Sequence, residues 1–224
     1  MSNIYYIIYH PEGNIFVLNR DREYNLSMSS VSTDYVKYEP SYKVLKALLY
    51  PVALSFRPKI YGKENIPEEG PVIICLNHRY NPDPAWACLA TRRVVHFLAK
   101  KELHESKFSL FFRMAGTISV DRQAHDHKAM DAAEEMLRKG HVIGIFPEGT
   151  RNRTEDPLLP FKYGAVRMAQ KTGASIVPMI AKGTFSTGVR IYIGEAYKIS
   201  EDADLTAENE KLRNIMLEMY TSNE

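Results

Sequence analysis

From Pro71 onward, short runs of consecutive apolar residues alternate with segments whose apolar positions recur at helical spacing. Val72–Leu76 is apolar throughout, which predicts a strand covered on both faces. Pro84–Thr91 predicts a short helix, Val94–Ala99 a strand, Ser106–Met114 a helix and Thr117–Val120 a short strand. Asp126–Lys139 lines up Ala129, Met130, Ala133, Met136 and Leu137 on one face, and Gly140 stands where a C-cap glycine belongs. His141–Phe146 predicts the next strand, Tyr163–Lys171 a helix ended by Gly173, and Ser175–Ala181 and Val189–Ile193 two further strands. Thr206–Tyr220 predicts a closing helix. Strands alternating with helices predict an α/β domain, with a central, largely parallel or mixed sheet flanked by helices. Sites in such sheets form in loops beyond the carboxyl ends of the strands.

The first 40 residues follow another pattern and are rich in tyrosine. Ile4–Tyr9 and Ile15–Leu18 flank Pro11-Glu12-Gly13-Asn14, the composition of a hairpin turn. Asn25–Thr33 is polar and reads as loop; no function is read from this region. Ser41–Arg57 predicts an amphipathic helix with Leu45, Leu48, Leu49 and Val52 on one side, Lys43 and Lys46 beside them, and a kink at Pro51. Pro58–Pro71 reads as a connector. The expected organisation is an N-terminal extension at 1–40, an amphipathic helical segment at 41–60 and an α/β domain at 61–224. There is no internal repeat and no low-complexity tract.

Composition narrows the classes. The chain of 224 residues is 45% hydrophobic and 25% charged, enough for one sizeable α/β domain. A net charge of +2, with lysines and arginines dispersed, argues against nucleic acid as a partner. The two cysteines, Cys75 and Cys88, have no metal-type spacing and read as buried reduced thiols of a cytosol-facing protein. The N-terminus lacks a basic leader and is interrupted by Pro11, so no signal peptide is expected. The longest apolar stretch, Val44–Phe56, contains Lys46 and Pro51 and falls short of the ~20 residues of a spanning helix.

Two segments carry chemistry. The first, Asn77-His78-Arg79-Tyr80-Asn81-Pro82-Asp83, follows the strand at 72–76. An imidazole with its ordinary pKa of about 6.5 is a natural general base. Asn81-Pro82 breaks regular helix, so a turn can bring Asp83 back to His78, where a carboxylate sets the tautomer and stabilises the imidazolium. Asp83-Pro84 equally reads as a helix start, with Asp as N-cap and Pro at the first helical position. No G-x-S-x-G elbow supplies a covalent nucleophile, so the attacking hydroxyl belongs to the substrate.

The second segment, Phe146-Pro147-Glu148-Gly149-Thr150-Arg151, follows the strand at 141–146. Gly149 allows close approach of the backbone, Arg151 can pair with phosphate, and Glu148 can accept hydrogen bonds from alcohol hydroxyls. The alternative is a strand-end turn with a surface ion pair. Arg122, at the end of Gly116-Thr117-Ile118-Ser119-Val120-Asp121-Arg122, is a second candidate anion ligand, and Lys100, Lys101 and Lys162 can add positive charge. Gly183 to Gly188 has P-loop-like glycine spacing, but Val189-Arg190 stand where Lys and Ser/Thr are required. His125 and His127 flank Asp126 without a metal-type ligand set.

These blocks together resemble the glycerolipid acyltransferase family, and within it the bacterial 1-acylglycerol-3-phosphate acyltransferases. The resemblance runs from about Tyr61 to about Tyr197. It includes the lead-in Gly62-Lys63-Glu64-Asn65-Ile66-Pro67, His78 and Asp83 as an H-x4-D motif, Gly116 to Arg122, Phe146 to Arg151, and Ile176-Val177-Pro178-Met179. The resemblance implies that His78 is the base, that Asp83 orients it, and that Arg122, Glu148, Gly149 and Arg151, with Thr150 in the same block, bind glycerol phosphate. Lys101 resembles a further phosphate-facing position. The implied reaction moves an acyl group from acyl-CoA or acyl carrier protein to the sn-2 hydroxyl of lysophosphatidic acid, with no metal or other cofactor. The implied place is the membrane surface on the cytoplasmic face, held peripherally. Glycerol 3-phosphate or another lysolipid as acceptor, a non-catalytic lysolipid-binding protein and a thioester hydrolase remain the alternatives.

Overall fold

The computed structural model describes residues 6–9, 15–19, 22–26, 39–120, 127–184 and 186–222. The chain divides into two units, Met1–Asp34 and Tyr35–Glu224. In the first, β1 (Tyr6–Tyr9), β2 (Ile15–Asn19) and β3 (Arg22–Leu26) form an antiparallel sheet in that order. Tyr9 pairs with Ile15, so β1 and β2 are a hairpin. The expected turn at 11–14 lies outside the described residues, as do 27–33 of the expected loop. β3 was not expected, because Asn25 was assigned to a loop. Its pairing with β2 comes from the backbone ladder and leaves no strong apolar alternation to read.

The second unit opens with α1 (Glu39–Ser55) and β4 (Lys59–Tyr61), then β5 (Val72–Leu76) and α2 (Asp83–Ala90). It continues through β6 (Val95–Lys100), α3 (Lys101–His104), α4 (Ser109–Met114), β7 (Ile118–Val120) and α5 (His127–Arg138). It ends with β8 (Val142–Ile145), α6 (Gly164–Thr172), β9 (Ser175–Thr184), β10 (Gly188–Ile193) and α7 (Leu205–Thr221). The strands form one sheet in the order β4-β10-β9-β5-β8-β6-β7. From β9 to β7 every neighbour is parallel, so the carboxyl ends of β5, β8, β6 and β7 emerge along one edge. β10 returns antiparallel to β9, because a parallel return needs a crossover of about a dozen residues or more and only a tight turn is available. The glycine pair at 183 and 188 is therefore a hairpin turn.

The all-apolar strands are explained by burial on both faces. Ile73 and Cys75 of β5 join Ala133, Met136 and Leu137 of α5, Ala165 and Met168 of α6, and Leu212 and Met216 of α7. Val72, Ile74 and Leu76 join Trp86 and Ala87 of α2 and Ala53 of α1. Each fully buried isoleucine or leucine contributes roughly 1.5–3 kcal/mol. The α5 C-terminus closes as expected, with Gly140 N–H donating to Leu137 and His141 N–H to Met136.

The expected connector at 58–71 contains β4, and the lead-in block serves this sheet edge: Asn65 Nδ2 donates to the Ile193 carbonyl at 2.8 Å. Where the chain enters β5 and β8, Arg93 donates to the carbonyls of Pro67, Gly70 and Gly140.

α1 presents two different sides. Tyr42 and Ala53 are buried, while Val44, Leu48, Leu49, Val52 and Leu54 are exposed. Lys46 does not flank the exposed apolar side. It turns inward and donates Nζ to the Thr91 carbonyl at 2.7 Å, and burial lowers its pKa.

Candidate active site

β5 ends at Leu76, and Asn77 extends its pairing with β9 by side chain. Asn77 Nδ2 donates to Ala181 O at 3.1 Å, and Ala181 N–H donates to Asn77 Oδ1 at 2.8 Å. The amide thus stands in for one more backbone step of the ladder and holds the chain just before His78. Residues 78–83 then fold into a turn around one carboxylate oxygen. Asp83 Oδ2 faces His78 Nδ1 at 3.1 Å and accepts the N–H groups of Arg79 and Tyr80, each at 2.7 Å.

Asp83 is buried and sits at the first residue of α2, with Pro82 as N-cap and no side-chain cap. The helix-start reading is therefore displaced by one residue, and the carboxylate holds the preceding turn instead of capping its own helix. The helix N-terminus still favours its negative charge. The His78 side chain is 19% exposed, and among the described residues Nε2 has no protein partner. An imidazole held at Nδ1 by a buried carboxylate, with Nε2 not committed to the protein, can take a proton from a bound hydroxyl.

The second segment leaves β8 beside this turn and is tied to it directly. Glu148 is buried, and its two oxygens are committed to backbone: Oε1 accepts His78 N–H and Oε2 accepts Leu159 N–H, both at 2.9 Å. Burial raises the Glu148 carboxyl pKa, against the lowering effect of these amides and of Arg79 and His78. Asn152 N–H donates to His78 O at 2.7 Å, and Arg151 donates to Asn81 Oδ1 at 2.6 Å. Arg79 donates to the carbonyls of Thr154 and Asp156, which clamps the loop that follows.

Gly149 has φ 68°, the left-handed region, and a Cβ there would lie 2.7 Å from Lys162 Cε and 3.0 Å from its Nζ. The Lys162 stem therefore crosses the Gly149 turn, held from its own backbone by Lys162 N–H to Pro147 O at 2.8 Å. Among the described residues no carboxylate pairs with its ammonium.

His78, Asp83, Glu148, Gly149, Thr150 and Arg151 thus come together at one strand edge. Lys101, just past the end of the neighbouring β6, is exposed, and among the described residues its ammonium pairs only with Glu105, at 3.7 Å. Arg122 lies outside the described residues, as do His125 and the side chain of His127. Among the described residues, no group of three or more His, Cys, Asp or Glu is placed to hold a metal ion. Sequence reading missed Asn77, Asn81, Asn152 and Arg79 as scaffold for the site. The partners bonded by the Asn77 and Asn81 side chains, the carbonyls clamped by the Arg79 guanidinium and the His78 carbonyl that accepts Asn152 N–H are 70 or more residues away, and nothing in local periodicity marks them. It also missed Phe146, whose ring stacks on His78 with centroids 3.9 Å apart.

A parallel α/β sheet thus carries an H-x4-D turn knitted to a glycine-arginine loop where β5 and β8 end side by side. Residues 57–182 match the Acyltransferase family model, which is more than half of the chain, and the protein belongs to that family. A Bacillus subtilis 1-acyl-sn-glycerol-3-phosphate acyltransferase is 34% identical over 144 residues, covering 60% of this chain and 68% of that relative. The Borreliella burgdorferi protein of the same name is 37% identical over 148 residues, covering 60% of this chain but only 58% of its own length. The crystal structure of the 1-acyl-sn-glycerophosphate (LPA) acyltransferase PlsC from Thermotoga maritima aligns with TM-score 0.67 at 21% identity, covering 86% of this chain and 83% of that one. That likeness establishes the fold.

Proposed function

We propose that this protein transfers a fatty acyl group from an acyl thioester, acyl-CoA or acyl carrier protein, to the sn-2 hydroxyl of 1-acylglycerol 3-phosphate, yielding phosphatidic acid. The observation that carries this reading is the His78 imidazole, bound at Nδ1 to buried Asp83 and set beside the Gly149 turn with its two cations, Arg151 and Lys162. His78 Nε2 takes the hydroxyl proton as the oxygen attacks the thioester carbonyl. The tetrahedral intermediate collapses, the C–S bond breaks, and the thiolate leaves with the proton returned from the imidazolium. Arg151 and Lys162 hold the phosphate so that the hydroxyl reaches base and thioester, with Thr150, Arg122 and Lys101 as further anion ligands. This is catalysis by positioning. The names of the relatives support the choice of acceptor.

The acceptor is a bilayer lipid, so the protein works peripherally at the membrane surface, on the cytoplasmic face where the donors are found. Among the described residues no helix is long and apolar enough to cross a membrane. The exposed apolar side of α1, Leu48, Leu49 and Val52, supports an interfacial position for that helix.

The test is an acceptor screen with radiolabelled palmitoyl-CoA and palmitoyl-acyl carrier protein, read as lipid products. Phosphatidic acid formed from lysophosphatidic acid is the expected result. Preferred labelling of glycerol 3-phosphate or an uncharged lysolipid would replace the acceptor. Thiol release without any acceptor would indicate a hydrolase, and binding without turnover a lysolipid carrier.

A further inference from the structure

The imidazole of His78 is held by more than its carboxylate. The Phe146 ring lies almost parallel to it, at 18° with centroids 3.9 Å apart. Phe146 is backed by Phe97, 5.4 Å away and inclined by 24°. Phe97 in turn lies over Gly144, the residue it pairs with across β6 and β8. A Cβ at position 144 would sit 2.4 Å from that ring, so only glycine leaves room for it. Gly144, Phe97, Phe146 and His78 thus form a continuous stack running from inside the sheet to the candidate base.

The asymmetry around the imidazole follows. Its Nδ1 edge is held by Asp83 and one face by Phe146, which leaves the plane of the ring, and so the direction of Nε2, with little freedom. An aromatic face against the ring also stabilises the positively charged imidazolium more than the neutral imidazole, through its quadrupole.

We propose that Phe146 is a positioning residue for the reaction, which aims His78 Nε2 at the acceptor hydroxyl and stabilises the imidazolium formed as the proton moves. The proposal rests on the reading of His78 as general base. It separates two roles within the segment 146–151: Phe146 acts on the base, while Arg151 acts on the anion.

The experiment uses the full-length protein with palmitoyl-CoA and lysophosphatidic acid in mixed micelles. Phe146→Leu removes the ring and keeps an apolar side chain, Phe146→Tyr keeps the ring, and His78→Ala is run alongside. In Phe146→Leu, kcat should fall about tenfold or more, with acceptor KM within about twofold of wild type, as expected for a misaimed base. Phe146→Tyr should restore kcat.

The inference is overturned if Phe146→Leu, folded by thermal melt, keeps wild-type kcat while His78→Ala is inactive. It is equally overturned if Tyr and Leu variants lose activity alike, or if acceptor KM rises as much as kcat falls, which would mark a purely structural residue. Activity retained by His78→Ala would instead remove the general-base reading on which the proposal stands.

Discussion

Glu148 offers a sharp test, because its side chain is expected at the substrate from the family resemblance and is found bonded to the protein's own backbone. Its two oxygens accept the N–H groups of His78 and Leu159, both at 2.9 Å, in a buried setting. Glu148→Gln keeps the shape but replaces one oxygen by an NH2 group, so one buried backbone N–H meets a donor. A hydrogen bond to a charged group contributes about 1.5–3 kcal/mol, and leaving a buried donor unsatisfied costs ~1–3 kcal/mol. The two add to a destabilisation of about 2.5–6 kcal/mol, which for a unit of this size lowers Tm by roughly 5–24 °C. Because one of the amides belongs to His78, kcat should fall together with stability. The measurement is thermal and urea unfolding of purified wild type and variant, with kcat and acceptor KM from the same preparations. A variant with unchanged Tm and kcat whose acceptor KM alone rises would refute the reasoning and return Glu148 to the substrate.

Four further outcomes are expected. His78→Ala should lower turnover by ~100-fold or more, and Asp83→Asn should lower it severely in a folded protein, since positioned proton transfer is worth ~10²–10⁴-fold; near-normal transfer by either would exclude this base. Arg151→Ala and Lys162→Ala should each raise acceptor KM by ~10-fold or more while leaving thioester KM within about twofold, as for loss of a charge-assisted phosphate contact; equal loss toward both substrates would indicate scaffold residues. Burial lowers the His96 pKa to about 4, with the nearby His141 adding to the shift, so the folded protein holds this imidazole neutral while the unfolded chain protonates it below about 6.5. Its contribution is then complete above pH 6.5 and lost as pH falls toward 4, by about 3 kcal/mol; urea unfolding at pH 7 and 4.5 should show acid destabilisation smaller by that order in His96→Asn, and an equal pH dependence in both proteins would contradict it. Leu48→Glu/Val52→Glu should abolish flotation with anionic vesicles while preserving turnover of a dispersed short-chain acceptor; a folded double variant that still floats would remove α1 as the membrane contact.

How much of this was legible beforehand differs by kind of interaction. The strand β5 was readable because a run apolar at every position, Val72–Leu76, needs cover on both faces, and the structure supplies it from α5, α6 and α7 on one side and α2 and α1 on the other. The α5 C-cap at Gly140 was readable because its signals lie within one turn of chain. β3 and β4 were not, because edge strands are specified by the neighbour they pair with, and β4 meets β10 across more than a hundred residues.

The sequence by itself determined the α/β class and the location of both informative loops after strands, which follow from local periodicity. It allowed the pairing of His78 with Asp83 through a turn that closes within six residues, beside a helix-start reading of the same Asp83. Only the tertiary structure decided what surrounds that pair. It placed Glu148 on the His78 backbone and Phe146 on the imidazole face. It joined Arg151 to Asn81 and laid Lys162 across Gly149. It also turned Lys46 inward from the exposed side of α1. Most of these contacts join segments separated by about 70 residues, brought together because β5 and β8 lie side by side with their carboxyl ends at one edge. Hydrophobic pattern specifies which face of a strand is buried. The partner of a polar side chain at the strand's end is chosen by the order of strands in the sheet.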